Sequence, residues 1–483
     1  MDKSKKGRNL EPLFRPKTIA IVGASESGLY PAGILRNLLR YKYEGKIFPV
    51  NPRRETVQGL KSYPKVLDIE GDIDLAVVIV PRGFVIDVLS QCAEKKVKAV
   101  IIITAGFGEA DEYGKQLQEK IADLARETGM IICGPNTAGL ANIIDKIPLI
   151  ARLDPAPIPG KVGFASQSGA LMMALYGNFR DREIGLSIMV STGNQVDMDL
   201  SECIKYLASD KDTKVIVTFI EGLRDTNTFL EAADLALEKG KPIIVLKVGK
   251  TKSGAEAAVT HTGSLTGSDA VYNAVFRQKG IVRVDDIDEL IDTAKIFSLF
   301  IDKIPDEGGI GIISQSGGLG SLTADICESL NLNLPQLSSE MLKKLTSMDE
   351  LLSFGSMRNP ADVRGEGTRA AMIPRVLEPF IKDNRFAMLG ILLARPAVGN
   401  EDIPTATTII EISRATEKPI FVVWIGRKIP DSGSSIDEQP YRILEKNGIP
   451  VFFTSKSCLK AIKHLIDYTM FRRRQQSMKA SVE

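Results

Sequence analysis

Aromatic residues are scarce, at 6% of 483 residues with a single tryptophan. That leaves little from which to build the stacking platforms that hold single-stranded nucleic acid. An excess of charge is also missing: 62 Lys+Arg stand against 60 Asp+Glu, a formal net charge of +2. The chain therefore lacks the basic balance expected of a nucleic-acid binder. No apolar run approaches the roughly 20 residues that cross a bilayer. The basic start, residues 1–10, has no apolar stretch behind it, so it does not read as a secretory signal. The five cysteines, Cys92, Cys133, Cys203, Cys327 and Cys458, are odd in number, far apart and mostly inside apolar segments. That excludes a disulfide framework and a zinc site, and fits reduced thiols in a cytoplasmic protein. Histidine occurs twice, as His261 and His464.

What is present is ordinary globular composition, 44% hydrophobic and 25% charged. At roughly 100–200 residues per domain the length predicts about three domains. Residues 1–12 read as a polar tail. The runs 17–22, 47–50, 75–80, 99–103 and 130–133 are apolar without alternation, the pattern of parallel strands covered by helices on both faces. Pro-rich segments at 154–160 and 304–309 mark boundaries. The expected fold is α/β: a Rossmann-like domain over 12–150, then two flavodoxin-like parallel-sheet domains over 158–303 and 308–466, with a disordered tail at 467–483.

The last two domains read as copies. Gly163-Phe164-Ala165-Ser166-Gln167-Ser168-Gly169-Ala170-Leu171 recurs as Gly311-Ile312-Ile313-Ser314-Gln315-Ser316-Gly317-Gly318-Leu319. Lys241-Pro242 recurs as Lys418-Pro419, Gly249 as Gly426 and Gly280 as Gly448. The copies part between the last two markers, where the second is nine residues shorter. The longer stretch holds Thr260-His261-Thr262-Gly263-Ser264. A segment that the fold can shorten is not needed for the core, which points to chemistry at His261. Imidazole can serve as base, ligand or nucleophile; no second His or Cys pair stands near it for a metal. His464, in an apolar-periodic stretch, reads as a helix-surface residue.

Each Ser-Gln-Ser-Gly turn (Ser166, Gln167, Ser168, Gly169; Ser314, Gln315, Ser316, Gly317) follows a strand and opens a helix. Free N–H groups and the helix dipole favour phosphate there, while plain helix capping by Ser is the simpler reading. Gly23-Ala24-Ser25-Glu26-Ser27-Gly28 misses the dinucleotide fingerprint at Ser25, which weakens an oxidoreductase reading. It remains a candidate pyrophosphate cradle, and Asn51-Pro52-Arg53-Arg54 supplies guanidinium groups suited to phosphate. Gly249-Lys250-Thr251 is no P-loop, since the glycine required upstream is Ile244. Glu221 ends the apolar strand 215–220, where ligands of open parallel sheets bind. The matching strand 388–394 has no acid.

Six segments in order carry a specific resemblance: Ile21-Val22-Gly23-Ala24-Ser25, Pro49-Val50-Asn51-Pro52, Thr104-Ala105-Gly106-Phe107-Gly108-Glu109, Gly134-Pro135-Asn136, Ser166-Gln167-Ser168-Gly169, and Thr260-His261-Thr262-Gly263-Ser264-Leu265. Over about residues 12–465 the chain resembles the α subunit of ADP-forming acyl-CoA synthetases, in the succinyl-CoA synthetase superfamily. The resemblance implies that the N-terminal domain binds CoA, with Gly23, Ala24, Ser25, Ser27, Gly28, Asn51, Pro52, Arg53, Arg54, Pro81 and Asn136 as its contacts. It implies that His261 carries phosphate, that Glu221 steadies it, and that both Ser-Gln-Ser-Gly turns bind it. ATP/ADP and Mg2+ are expected on a separate ATP-grasp β subunit, in an α2β2 assembly acting on a small carboxylic acid. A non-catalytic sensing subunit is the alternative, which the presence of His261 weakens.

Overall fold

Unbroken runs of Val, Ile, Leu and Ala become strands buried on both faces. The computed structural model describes residues 7–254, 256, 268–303, 308–348, 351, 357–397, 399–426 and 439–480. The chain divides into two units, Met1–Ile287 and Asp288–Glu483.

The first unit opens with β1 (Thr18–Val22), β2 (Lys46–Val50), the hairpin β3 (Thr56–Val57) and β4 (Leu60–Lys61), β5 (Leu75–Val78), β6 (Ala99–Ile102) and β7 (Ile131–Cys133). Apart from the hairpin they form one parallel sheet, ordered β2-β1-β5-β6-β7. Helices Leu29–Arg40, Val85–Glu94 and Glu112–Thr128 cover it. The last shows how locally these limits are written. Asp111 caps its start by accepting from Gly114 N–H, and Gly129 ends it in the left-handed conformation at φ 71°.

The second sheet contains β8 (Gly139–Asn142), β9 (Ile147–Ile150), β10 (Pro159–Ser166), β11 (Leu186–Ser191), β12 (Val215–Ile220), β13 (Ile243–Lys247) and β14 (Val282–Val284). Its order is β14-β13-β12-β10-β11-β8-β9, with β8 and β9 antiparallel. The second sheet thus begins before the Pro-rich segment at which a boundary was expected. Residues 139–150, assigned from sequence to the N-terminal domain, extend the second sheet: β8 pairs with β11, and β9 pairs with β8. Prolines at 154–160 interrupt secondary structure without separating the sheets.

The second unit holds β15 (Gly309–Ser314), β16 (Ala361–Asp362), β17 (Phe386–Ala394), β18 (Ile420–Ile425) and β19 (Val451–Phe452), ordered β16-β15-β17-β18-β19 and parallel throughout. The parallel strands of all three sheets share one winding, 2-1-3-4-5, whose direction reverses between the first and third strands, where open α/β sheets bind ligands. The duplication extends to side chains. Lys241 Nζ donates to the carbonyls of Leu207 and Asp210, at the end of helix Leu200–Ser209. Lys418 Nζ donates likewise to Phe380 and Asp383, at the end of helix Ile373–Lys382.

Within the first unit the two sheets are tied tightly. The stretch after β11 runs along β7, with Asn194 N–H to the Pro135 carbonyl at 2.9 Å, Val196 to Gly134 at 3.0 Å and Met198 to Ile132 at 3.1 Å. The polar tail expected over residues 1–12 is not a tail from Arg8 onward. Arg8 pairs with Asp197 at 2.8 Å and Glu202 at 2.9 Å, while Leu10, Leu13 and Phe14 are buried. The disordered tail expected from 467 is likewise corrected, because helix Ser455–Ala480 runs through it. Tyr468 packs on Phe297 there, with ring centroids 5.8 Å apart. His464 lies on this helix, partly exposed, its Nε2 2.7 Å from Glu289 Oε1.

Arg15 is the densest clasp of the first unit. Its guanidinium reaches Asp145 at 2.7 Å, Tyr206 Oη at 2.7 Å, Asp210 at 2.7 Å and Asp212 at 3.2 Å. Burial opposes ionisation of Asp210, but hydrogen bonds from Thr213 and Arg15 hold its carboxyl below the usual aspartate range. A depressed carboxyl contributes stability above its unfolded pKa, near 3.9, and loses it as pH falls through the folded value. Arg15→Ala should therefore lower hydrogen-exchange protection of β10 and β12 at pH 7 by about 3 kcal/mol. The gap to the parent should narrow below about pH 4.

Candidate functional site

The first Ser-Gln-Ser-Gly turn is locked by its own side chains. Ser166 Oγ donates to the Ser168 carbonyl at 2.8 Å, and Ser168 caps helix Gly169–Asp181 by accepting from Leu171 N–H at 3.2 Å. Gln167 turns the other way, to the end of β12. Its Oε1 accepts from Glu221 N–H at 2.5 Å and Gly222 N–H at 3.1 Å, and its Nε2 donates to the Gly222 carbonyl at 2.7 Å. One amide thus holds Glu221 beside the start of a helix whose dipole favours an anion. Glycine is required at 169: a Cβ there would stand 2.9 Å from Ala138 Cβ and 3.2 Å from Ser191 Oγ.

Below Glu221 lies Lys247, which sequence reasoning missed. Its ammonium is buried, 1% exposed, and donates to the Glu221 carbonyl at 3.0 Å and to the Val248 carbonyl. The Tyr272 ring lies 4.7 Å from Nζ, and Tyr272 Oη accepts from Leu223 N–H at 3.3 Å. Burial lowers the lysine pKa, while the charges of Asp269 and Glu221 favour the cation. The available signal was a lysine ending an apolar strand whose copy ends in Trp424 and Ile425.

A second group gathers at the reversal point between β1 and β5. Gly23 has φ +92°, and a Cβ there would meet the Ile79 carbonyl oxygen at 2.5 Å. Glycine at this position is therefore demanded by the Ile79 carbonyl just after β5, and any side chain there disturbs that strand end. Gly28 stands before helix Leu29–Arg40, whose start carries no side-chain cap. Asn51 is the tie: Nδ2 donates to the Ala24 carbonyl at 2.8 Å and Oδ1 accepts from Arg53 N–H at 2.9 Å. Ser25 Oγ accepts from Ser27 N–H at 3.4 Å. Gln58, also missed, donates to the carbonyls of Ser25 at 3.2 Å and Ala32 at 3.0 Å. Its signal was the adjoining Gly59 in a short hairpin. Pro52, Arg53, Arg54 and Pro81 are exposed around this mouth, as is Phe84.

Asn136 is placed elsewhere. It follows β7, at the far edge of that sheet, with φ 59° and Nδ2 3.3 Å from Asn194 Oδ1. The same junction holds Glu109. Burial opposes its ionisation, but Asn194 and backbone N–H groups including that of Gly106 hold its carboxyl below the usual range. Asn136 thus stands between the N-terminal sheet and the Ser166–Gly169 turn.

The second copy repeats the frame with different chemistry. Ser314 Oγ donates to the Ser316 carbonyl at 2.8 Å, and Gln315 Oε1 accepts from Ala394 N–H at 2.9 Å. Ala394 therefore occupies the place of Glu221. Where β11 ends in Ser191, β16 ends in Asp362, whose Oδ2 would stand 2.7 Å from a Cβ on Gly317. A carboxylate thus faces the start of helix Gly317–Ser329, and Ser316 makes no side-chain cap there. His261 lies outside the described residues. The five cysteines are buried free thiols, with Cys92, Cys133 and Cys327 pushed up to about 12 by burial, which makes them poor nucleophiles.

A doubly wound sheet of nucleotide-binding type, joined to a ligase-type sheet with an anion-favouring turn, defines a class, and comparisons with known proteins agree. Residues 17–142 match the CoA binding domain family, and residues 159–297 match the succinyl-CoA ligase like flavodoxin domain. The α subunit of acetate–CoA ligase (ADP-forming) II of Pyrococcus furiosus is 35% identical over 92% of this chain and 94% of its own length. A 4-hydroxybutyrate–CoA ligase (ADP-forming) of Nitrosopumilus maritimus is 34% identical over 95% of this chain and 64% of its own. Acetyl-coenzyme A synthetase 1 of Ca. Korarchaeum cryptofilum, solved with phosphate and ADP, superposes with a TM-score of 0.86 at 31% identity, covering 96% of this chain and 98% of that one. The chain belongs to the ADP-forming acyl-CoA ligase family.

The β1/β5 mouth generates a direct test. Asn51→Ala removes two hydrogen bonds that shape the loop, each about 1 kcal/mol. Calorimetric CoA affinity should weaken by roughly tenfold. Unchanged affinity would place the cofactor elsewhere.

Proposed function

We infer that this chain is the α subunit of an ADP-forming acid–CoA ligase, an acid–thiol ligase catalysing acid + CoA + ATP ⇌ acyl-CoA + ADP + phosphate. The observation that carries the reading is the junction in the first unit. There a CoA-binding-type sheet adjoins a helix-start turn that one glutamine locks to Glu221. Relatives named as α subunits match along nearly their whole length. No observation favours the non-catalytic sensing subunit.

In the direction of acid activation, an imidazole nitrogen of His261 attacks the γ-phosphorus of ATP. An N–P bond forms and ADP leaves with the electrons of the broken P–O bond. The acid's carboxylate oxygen then attacks that phosphorus, giving an acyl phosphate and returning the imidazole. Finally the CoA thiol, losing its proton, attacks the acyl carbon, and phosphate leaves with the electrons of the C–O bond. Glu221 steadies the phosphohistidine by accepting a hydrogen bond from its second ring nitrogen. The helix start at the Ser166, Gln167, Ser168 and Gly169 turn favours the transferred phosphate through its dipole and its first free N–H groups. Ser314, Gln315, Ser316 and Gly317 offer the same helix-start geometry, with Asp362 as an added negative charge. CoA is assigned to the loops at Gly23–Gly28, Asn51–Arg54 and Pro81, and Asn136 to the passage between the two sites.

The α-subunit names of the relatives imply a second chain. We assign to it an ATP-grasp fold holding ATP and Mg2+, in an α2β2 assembly working in the cytoplasm on a small carboxylic acid. Among the described residues no helix is long and apolar enough to cross a membrane.

The test is co-expression with an ATP-grasp partner and a screen of acids for CoA-dependent phosphate release. His261→Ala should abolish turnover while leaving CoA affinity unchanged. Glu221→Gln should slow turnover by roughly 10–100-fold, the usual scale for a lost outer partner. Turnover by His261→Ala at the parental rate would overturn the relay.

A further inference from the structure

The duplication supplies an internal control on one residue the relay does not name. Lys247 and Trp424 sit at the same place in their sheets: Ile216 pairs with Ile243 on β12–β13, as Leu389 pairs with Ile420 on β17–β18. Both side chains are buried at 1% exposure, and both donate to carbonyls at the end of the neighbouring strand. Lys247 Nζ reaches Glu221 at 3.0 Å, and Trp424 Nε1 reaches Arg395 at 3.0 Å. The frame thus needs a donor here, and a neutral one serves in the second copy. A buried ammonium is far costlier than an indole unless its charge is used.

No carboxylate lies within ion-pair distance of Lys247 Nζ among the described residues. Its partners are two carbonyls and a ring face. The charged copy is also the one that has Glu221, a neutral Ser191 at the turn, and the longer segment containing His261. Where Trp424 stands, the acid is replaced by Ala394 and the serine by Asp362. Positive charge beneath the strand end therefore accompanies the set of residues suited to an incoming phosphate.

We propose that Lys247 is a positioning residue for phosphoryl transfer. Its ammonium fixes the Glu221 and Val248 peptides at the root of the segment carrying His261 and offsets the phosphate's negative charge through the strand end. The proposal rests on the relay reading above. The groups facing Lys247 are Glu221 after β12, Asp269 and Tyr272 on helix Asp269–Lys279, and Arg283 on β14. Arg283 is itself engaged by Asp269 at 2.5 Å.

The experiment compares parent, Lys247→Gln and Lys247→Met, each purified with its partner chain, by the rate at which labelled phosphate from ATP reaches His261. Gln keeps a neutral donor for the carbonyls; Met keeps the bulk alone. Both variants should transfer roughly 10–100-fold more slowly, with CoA affinity unchanged. In the parent the rate should fall at high pH as the ammonium deprotonates, and that limb should be missing in Lys247→Gln. A Lys247→Gln protein that labels at the parental rate with the parental pH profile overturns the proposal. So does a loss of CoA affinity equal to the loss of rate, which would mark a packing role. If the parent itself carries no label on His261, the relay reading fails first and takes this proposal with it.

Discussion

The hydrogen bonds from one buried glutamine to the next strand's end are the constraint on which the site depends. Gln167 follows β10, yet its side chain is spent on the backbone of Glu221 and Gly222 after β12. This fixes a helix start, an anion-favouring feature, against the one acidic residue at that strand end. The second copy keeps the clasp through Gln315 and Ala394 and lacks the acid. Geometry and chemistry are thus separable: the glutamine belongs to the frame, and Glu221 and Lys247 are what one copy adds to it.

Coupling between the two sheets of the first unit follows from ordinary packing and ion pairing. Asp197 receives Arg8 and also the Ile132 N–H at the start of β7, at 2.9 Å. The stretch after β11 is thereby fastened along β7, which carries Asn136 to within reach of Asn194. Arg8, Arg15, Phe14 and Tyr206 add side-chain contacts between the same parts of the first unit.

Much of this was legible in the sequence because it is written locally. Unalternating β-branched runs announced buried parallel strands, and repeated turns announced the duplication; the reading of His261 falls outside the described residues. What escaped depends on contacts far apart in sequence. Arg8 looked like part of a charged tail because its partners lie near residue 200. Lys247 was missed because nothing adjacent in sequence reveals that its ammonium sits under Glu221. That β8 and β9 join the second sheet was not legible, because prolines mark breaks in secondary structure, not the borders of hydrogen-bonded layers. The Gly23–Gly28 loop was legible as a candidate cradle, but the Ile79 carbonyl that a Cβ at Gly23 would meet is a contact that the local sequence does not show.

The central claim is that phosphate is handed over on an imidazole of this chain, at the Glu221 end of the first ligase sheet. The most direct measurement incubates the chain with acyl-CoA and isotopically labelled phosphate, then locates the label by mass spectrometry under alkaline conditions that preserve phosphoramidates. The account predicts one phosphate per chain on the peptide containing His261, lost on mild acid treatment. Label on a serine of either Ser-Gln-Ser-Gly turn, or on His464, would contradict it.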